Sequence, residues 1–533
     1  MIKDSKKIKS FFSLKKNINC YRLQLTKYID YFMYINSFFK SIIILFFYSI
    51  IFIFLSFNID LNASWFVNAD QEVAITYNAL LFNSGLPQEM RSHTGYFTIL
   101  FLSLFFKFLS MIDILTVYNL KGLLNSSNFF GELQKLIFFS RIYSLICITF
   151  FFFSIHLFVS NLTKEKIFSF LLTLVLIFSA GLNSHIFQLR NEILSASFFI
   201  LSLLNLILFS TKKKNYINLL FFFIFFYSAI LNKSQVFFYL PFILIFSYFF
   251  NERKIELKIN GNIAKIKNYK YYLIVFIILY FFLKKITNTA DISSILYIIF
   301  SIFIFNTFII FISKKNKIEN NLIISNLILI FSFFLFKSFL FIHPSTVEVS
   351  FMDTFTNILS SFQYTRYYSP IDNTYLIKIY EIPIIFFKNF FDVLLKTFST
   401  INFYSCIILF FIFLSFFYKN LLNKKDVTVI VLCFIIFFLI STINFFRFQN
   451  FGIYNVFSDF FLIIPYVYIY RLINKNFILY TFFLLCFFFI LNYFYFNNNI
   501  YKQKKITCIH DFDFFASNTS KIYHNVLKSN MRC

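Results

Sequence analysis

Leu219-Leu220-Phe221-Phe222-Phe223-Ile224-Phe225-Phe226-Tyr227-Ser228-Ala229-Ile230-Leu231 is a run of thirteen residues without a charge, preceded by Lys212-Lys213-Lys214 and followed by Lys233. Wound as a helix, residues 216–232 would reach about 25 Å at 1.5 Å per residue, close to the roughly 30 Å of a bilayer's hydrocarbon core. Ser41 to Phe57 and Tyr480 to Phe496 read in the same way. Of 533 residues, 59% are hydrophobic and 14% charged, with 93 Phe. Soluble domains hold about half apolar and roughly a quarter charged residues, so one soluble core cannot hide these runs. The expected fold class is all-α, a polytopic transmembrane helical bundle.

A net charge of +26 could suggest nucleic acid. The Lys and Arg residues, however, gather in short segments between the apolar runs: residues 1–27, Asn161–Lys166, Thr211–Asn215, Asn251–Lys270, Lys314–Lys317, Lys419–Lys425 and Arg471–Lys475. The positive-inside rule accounts for that spacing and places them all in the cytoplasm. No nucleic-acid partner is expected. Residues 1–36 form a basic N-terminal segment that runs into the first apolar stretch without a small-residue cleavage site, as a retained signal anchor with a cytoplasmic N-terminus.

Two spans must separate each basic segment from the next. The apolar runs supply about thirteen, near 37–58, 137–159, 167–184, 193–210, 216–232, 235–250, 271–283, 292–313, 322–342, 400–418, 427–446, 453–470 and 476–494, within a membrane domain of 37–494. Tyr96 to Ile112 breaks the parity if counted as a span and is read as an interfacial or re-entrant helix. Two long outer loops follow, 59–136 and 343–399, the first with juxtamembrane helix, and a polar tail, 495–533, also on the outer side. The chain contains no GxGxxG and no Walker loop, against a nucleotide-driven pump. Its seven Cys lack metal or redox spacing.

With only 23 Asp and Glu, the acidic residues of the first outer loop are informative. Asp70 and Glu72 stand in Asn68-Ala69-Asp70-Gln71-Glu72, about a dozen residues beyond the first span. A carboxylate held above the bilayer can take the proton of an attacking hydroxyl. An ordinary solvated loop carboxylate is the plain alternative. Arg190, Lys233 and Arg447 are cations at the expected outer boundary, where ionisable groups face cavities or partners, or simply snorkel. The acidic Glu348, Asp353, Asp372 and Glu381 of the second outer loop are read as solvated.

Asp70-Gln71-Glu72, then Tyr77, Ala79 and Gly85, then His93-Thr94-Gly95-Tyr96 before an apolar helix, resembles the opening of the GT-C glycosyltransferases, the superfamily of the protein O-mannosyltransferases and aminoarabinose transferases. Those enzymes bear an acidic motif in the first outer loop, then a His-Pro-Pro-Leu-Tyr-like turn into a juxtamembrane helix. Arg141-Ile142-Tyr143-Ser144 is similar to the family's Arg-Leu-x-Ser, Gln188-Leu189-Arg190-Asn191-Glu192 to its acidic second outer loop, Leu231-Asn232-Lys233-Ser234 to its Leu-Thr-Lys-Gly, and Arg447 with Tyr454 to its Arg-x-Tyr region. The chain departs from the pattern in having Thr94-Gly95 where two prolines stand, Glu72 one position late, and no Gly after Lys233. The likeness covers residues 37–250 best.

The resemblance implies a membrane enzyme of the bacterial inner membrane that moves a sugar from a polyprenyl-phosphate donor to a glycan, lipid or protein acceptor at the outer face, with inversion. Asp70 would be the base and Glu72 its catalytic neighbour. His93, Tyr96, Arg190, Glu192, Lys233 and Arg447 would bind substrate, with membrane lipid around them. No cofactor is expected, although Asp70, Glu72 and Glu192 could converge on a divalent ion. Two other many-span classes stay open. A lipid-linked oligosaccharide flippase would carry midplane charges or Gly- and Pro-broken helices. An O-antigen ligase or polymerase would use late-loop cations such as Arg366, Lys378 and Lys388.

Overall fold

The computed structural model describes residues 41–51, 72–86, 95–163, 165–179, 189–211, 216–250, 324–332, 381–399, 424–448 and 453–470, with isolated positions such as 61, 182 and 185. Every element among them is helical. Helix α1, Ser41–Ile51, belongs to one compact unit, Met1–Leu55, and exposes Ile42, Ile43, Phe46, Phe47 and Ile50. The second unit, Ser56–Cys533, holds α2 (Ala74–Asn83), α3 (Tyr96–Met111), α4 (Leu120–Leu124), α5 (Phe129–Thr163) and α6 (Lys166–Leu174). It continues with α7 (Asn191–Thr211), α8 (Tyr216–Asn232), α9 (Leu240–Phe250), α10 (Glu381–Ser399), α11 (Lys424–Phe448) and α12 (Asp459–Tyr470).

Three of these, α5, α7 and α11, are long and apolar enough to cross a membrane. The 35 residues of α5 extend about 52 Å, well beyond a hydrocarbon core, whereas the 16 residues of α3 reach only about 24 Å. The exposed side chains of α11 include Val427, Val431 and Ile435, one apolar stripe at four-residue spacing that suits acyl chains better than water.

Because lipid is as apolar as Leu, packing and polar contacts, more than the hydrophobic effect, must join such helices. The antiparallel pair α7 and α8 meets through small residues: Ser195, Ala196 and Ala229 are fully buried, and Ser195 Oγ donates to the Ala229 carbonyl at 2.7 Å. Deeper in, Phe199 meets Tyr239, Phe457 and Phe460 edge-on at centroid distances of 5.8, 6.1 and 6.2 Å, which ties α7 to the 3-10 turns Ser234–Tyr239 and Ile453–Phe457 and to α12. Edge-to-face geometry sets the positive ring edge against a negative face, so the many Phe contribute direction as well as bulk.

The runs expected at 137–159, 193–210, 216–232 and 427–446 fall within α5, α7, α8 and α11. Those at 235–250 and 453–470, and the described part of 167–184, are divided between α-helix and a 3-10 turn. The expected spans 271–283, 292–313 and 476–494 and the tail lie outside the described residues, apart from Phe305 and Asn306. Besides the short α4, two helices emerge among the described residues that apolar runs do not announce. One is α2, just past Glu72, whose Asn78 side chain bonds back to the Ala74 carbonyl at 2.8 Å. The other is α10, which occupies the end of the expected loop 343–399.

Candidate functional site

The chain gathers buried charge where α7 begins and α8 ends. Glu192 lies in the first turn of α7, where unpaired N–H groups favour an anion, and Lys233 follows directly on α8, whose last carbonyls favour a cation. The Lys233 N–H donates to the Ala229 carbonyl at 2.8 Å, which completes the helix end. Since α7 and α8 are antiparallel, the two ends sit side by side and their charges meet. Lys233 Nζ is 2.6 Å from Glu192 Oε1, and Arg190 Nε is 3.4 Å from Glu192 Oε2. All three are buried. His185, whose carbonyl accepts from Ser144 Oγ at 3.3 Å, adds to the electrostatic field on Glu192.

A second ion pair adjoins this triad. Arg141, on α5, directs its guanidinium at Glu72: Nε is 3.2 Å from both carboxylate oxygens and Nη2 is 3.0 Å from Oε2. Its Nη1 reaches the Leu61 carbonyl at 2.9 Å, so one side chain holds both Leu61 and Glu72. Burial pushes the Glu72 carboxyl above the usual carboxylate range, while Arg141 and a hydrogen bond from the Leu189 backbone N–H pull it back. That Leu189 contact joins the Glu72 pair to the Arg190–Glu192–Lys233 triad. Beside them Thr76 and Ser140 share a hydroxyl hydrogen bond of 2.8 Å that fastens α2 to α5.

The start of α3 closes the group from a third side. Asn232 Oδ1 accepts from the Thr98 N–H at 3.0 Å, while Asn232 Nδ2 donates to Thr98 Oγ1 and to the Asn191 carbonyl, both at 2.9 Å. Gly95 N–H donates to the Asn232 carbonyl at 3.1 Å. Gly95 has φ +47°, and a Cβ there would run into the Asn191 side chain, so glycine is required both by backbone and by space. Tyr96, the first residue of α3, is buried with its ring edge-on to Phe97 at 5.2 Å.

Counted along their helices at about 1.5 Å per residue, the charges lie at comparable distances from the opposite helix ends. Arg141 is about 33 Å from Thr163, Glu192 about 28 Å from Thr211, and Lys233 about 25 Å from Tyr216, each distance counted from an end that adjoins a basic segment. These separations approximate the thickness of a hydrocarbon core.

No protein-family model, curated protein or solved structure matches this chain. Three cationic side chains and two carboxylates, contributed by the Glu72 segment, α5, the Leu189–Glu192 segment and the end of α8, stand together away from solvent. Buried charges are retained where they are paired and hydrogen-bonded, and at membrane depth they mark sites of function more often than of stability. Among the described residues no group of three or more His, Cys, Asp or Glu could hold a metal ion.

Of the residues singled out in the sequence, Glu72, Tyr96, Arg190, Glu192 and Lys233 come together in this region. Asp70 and His93 lie outside the described residues, as does the Arg447 side chain, whose backbone belongs to α11. Glu192 belongs to the first turn of a helix, where the sequence suggested an outer loop. Sequence reasoning noted Arg141 as part of a motif and missed it as the partner of Glu72. It named Asn191 and Asn232 only within the stretches quoted around Glu192 and Lys233, with no role of their own, and did not name Thr98. The one available signal was Asn232-Lys233, a polar pair at the abrupt end of the apolar run 219–231.

Proposed function

We propose that this chain is a membrane glycosyltransferase of GT-C type, which transfers a sugar from a polyprenyl-phosphate donor to an acceptor hydroxyl at the outer face of a bacterial inner membrane. The observation that carries the reading is the meeting of the Glu72–Arg141 pair with the Arg190–Glu192–Lys233 triad, joined through Leu189. These are the segments in which the resemblance lies, and they are far apart in sequence. Further support comes from α3, which the parity of the basic segments keeps from being counted as a span, in the place where the family has a juxtamembrane helix.

In this reading the chain crosses about thirteen times with its N-terminus in the cytoplasm, and the charged group described above lies at the outer boundary. Asp70, two residues before the anchored Glu72, takes the proton of the acceptor hydroxyl as that oxygen attacks the anomeric carbon. The bond from that carbon to the donor phosphate oxygen breaks, and the electron pair leaves with polyprenyl phosphate. Attack opposite the leaving group inverts the configuration. Arg190 and Lys233 stabilise the phosphate charge, with Arg447 contributing from α11. Glu192 holds the two cations in place, Glu72 with Arg141 fixes the Asp70 segment, and His93 and Tyr96 border the sugar.

The test is transfer of radiolabelled sugar from polyprenyl-phosphate donors in membranes carrying wild type or Asp70→Asn at matched expression. Transfer that disappears with Asp70→Asn establishes both class and base. Full activity of Asp70→Asn overturns the base. Absence of transfer from every donor turns the balance to a flippase or ligase.

A further inference from the structure

Among the described residues, the hydrogen bonds around Asn191 use its backbone carbonyl and not its side-chain Oδ1. Asn232 uses the Asn191 backbone carbonyl, and Thr98 turns to Asn232. Asn191 itself is 2% exposed, and its Oδ1 has no hydrogen-bond partner among the described residues. The amide is packed against Gly95, the residue before α3. Apolar residues of like size, such as Leu, fill such places without an orphaned acceptor, and an unpaired buried carbonyl oxygen is costly. An amide retained there fits a ligand that brings a donor.

We propose that the Asn191 amide is a substrate-binding group that accepts a hydrogen bond from a hydroxyl of the transferred sugar, and that the sugar is uncharged at that position. The inference rests on the glycosyltransferase reading and deepens it. A hydroxyl supplies the one donor that Oδ1 needs and brings no charge into a buried cluster. A protonated amino group could also donate, but it would bring a charge into a place only 2% exposed, where Glu72 and Glu192 are already paired with cations, and a buried charge without a partner is costly. Asn191 is the first residue of α7 and stands in sequence between Arg190 and Glu192, so the amide belongs to the segment assigned to the donor phosphate.

The experiment compares wild type, Asn191→Leu and Asn191→Ala, purified as full chains in detergent. Thermal melting is measured without donor, and transfer is measured with polyprenyl-phosphate mannose or glucose and with a polyprenyl-phosphate 4-amino sugar. The expected result has three parts: wild type uses a neutral hexose in preference to the amino sugar, Asn191→Leu melts at or above the wild-type temperature, and its kcat/KM falls about tenfold or more through KM, the size of one neutral hydrogen bond. Asn191→Ala should lose transfer to a similar degree, which separates the amide from any effect of Leu's shape. Unchanged transfer by Asn191→Leu overturns the assignment and leaves the glycosyltransferase reading standing. A melting temperature lowered in both variants also overturns it, since the amide would then be bonded within the fold. Preference for the amino sugar overturns the uncharged specificity. Failure of wild type to transfer from any of these donors overturns the glycosyltransferase reading for them and this inference with it.

Discussion

Lys233 and Glu192 are 41 positions apart in sequence and 2.6 Å apart in the fold, each at the helix end whose dipole favours its charge. Removing one partner of such a buried pair leaves an uncompensated charge, at a cost of about 3–5 kcal/mol. Lys233→Met and Glu192→Gln should therefore each destabilise the detergent-solubilised protein by that order. The double variant should be less destabilised than the sum of the two. A thermodynamic cycle of melting measurements checks this, and strict additivity would show that the two groups do not interact.

Arg141 and Glu72 answer to a finer substitution. Arg141 spreads three donors over the Glu72 carboxylate and the Leu61 carbonyl, a planar fork that Lys cannot reproduce. Arg141→Lys keeps the charge and should still lose about 1–3 kcal/mol and most transfer activity, because the segment bearing Asp70 is no longer fixed. Wild-type behaviour in melting and transfer would reduce Arg141 to a generic counter-ion.

Gly95→Ala should be disproportionately harmful for so small a change. A left-handed backbone costs an L-residue about 1–2 kcal/mol, and here the added Cβ also meets the Asn191 amide. Gly85, at φ +69° with open space around its Cβ position, is the internal control: Gly85→Ala should show the backbone cost alone. Equal melting temperatures for the two variants would mean that Asn191 yields without cost.

What the sequence reveals and what it conceals divide along physical lines. Apolar runs announce α5, α7, α8 and α11 because a hydrocarbon-spanning helix is written as contiguous residues. The acidic segment, Lys233 and Glu192 stand out since charge is scarce in such a chain. The pairings are invisible: Arg141 with Glu72 spans 69 positions and Asn232 with Thr98 spans 134, and no local periodicity encodes either. Helix α10 hides for another reason. Lys388, Asp392 and Lys396 interrupt its apolar residues, yet Asn389, Val393 and Thr397 share a buried face while Ile384, Phe387, Phe391 and Leu395 are exposed. Helix α2 hides because ten residues with two Asn do not resemble a membrane element.

The orientation of the whole arrangement turns on α3. Because counting α3 as a span would break the parity of the basic segments, α3 is expected to stay on the outer side, so that the segments around Lys164 and Lys213 face the cytoplasm. In a variant whose seven cysteines are replaced by Ser, Gln88→Cys should react with an impermeant maleimide added outside intact cells. Lys164→Cys and Lys213→Cys should react only after the membrane is opened. If α3 crosses instead, the latter two change sides while Gln88→Cys does not. The level of Arg141, Glu192 and Lys233 would then face the cytoplasm, and a donor presented at the outer face could not reach it.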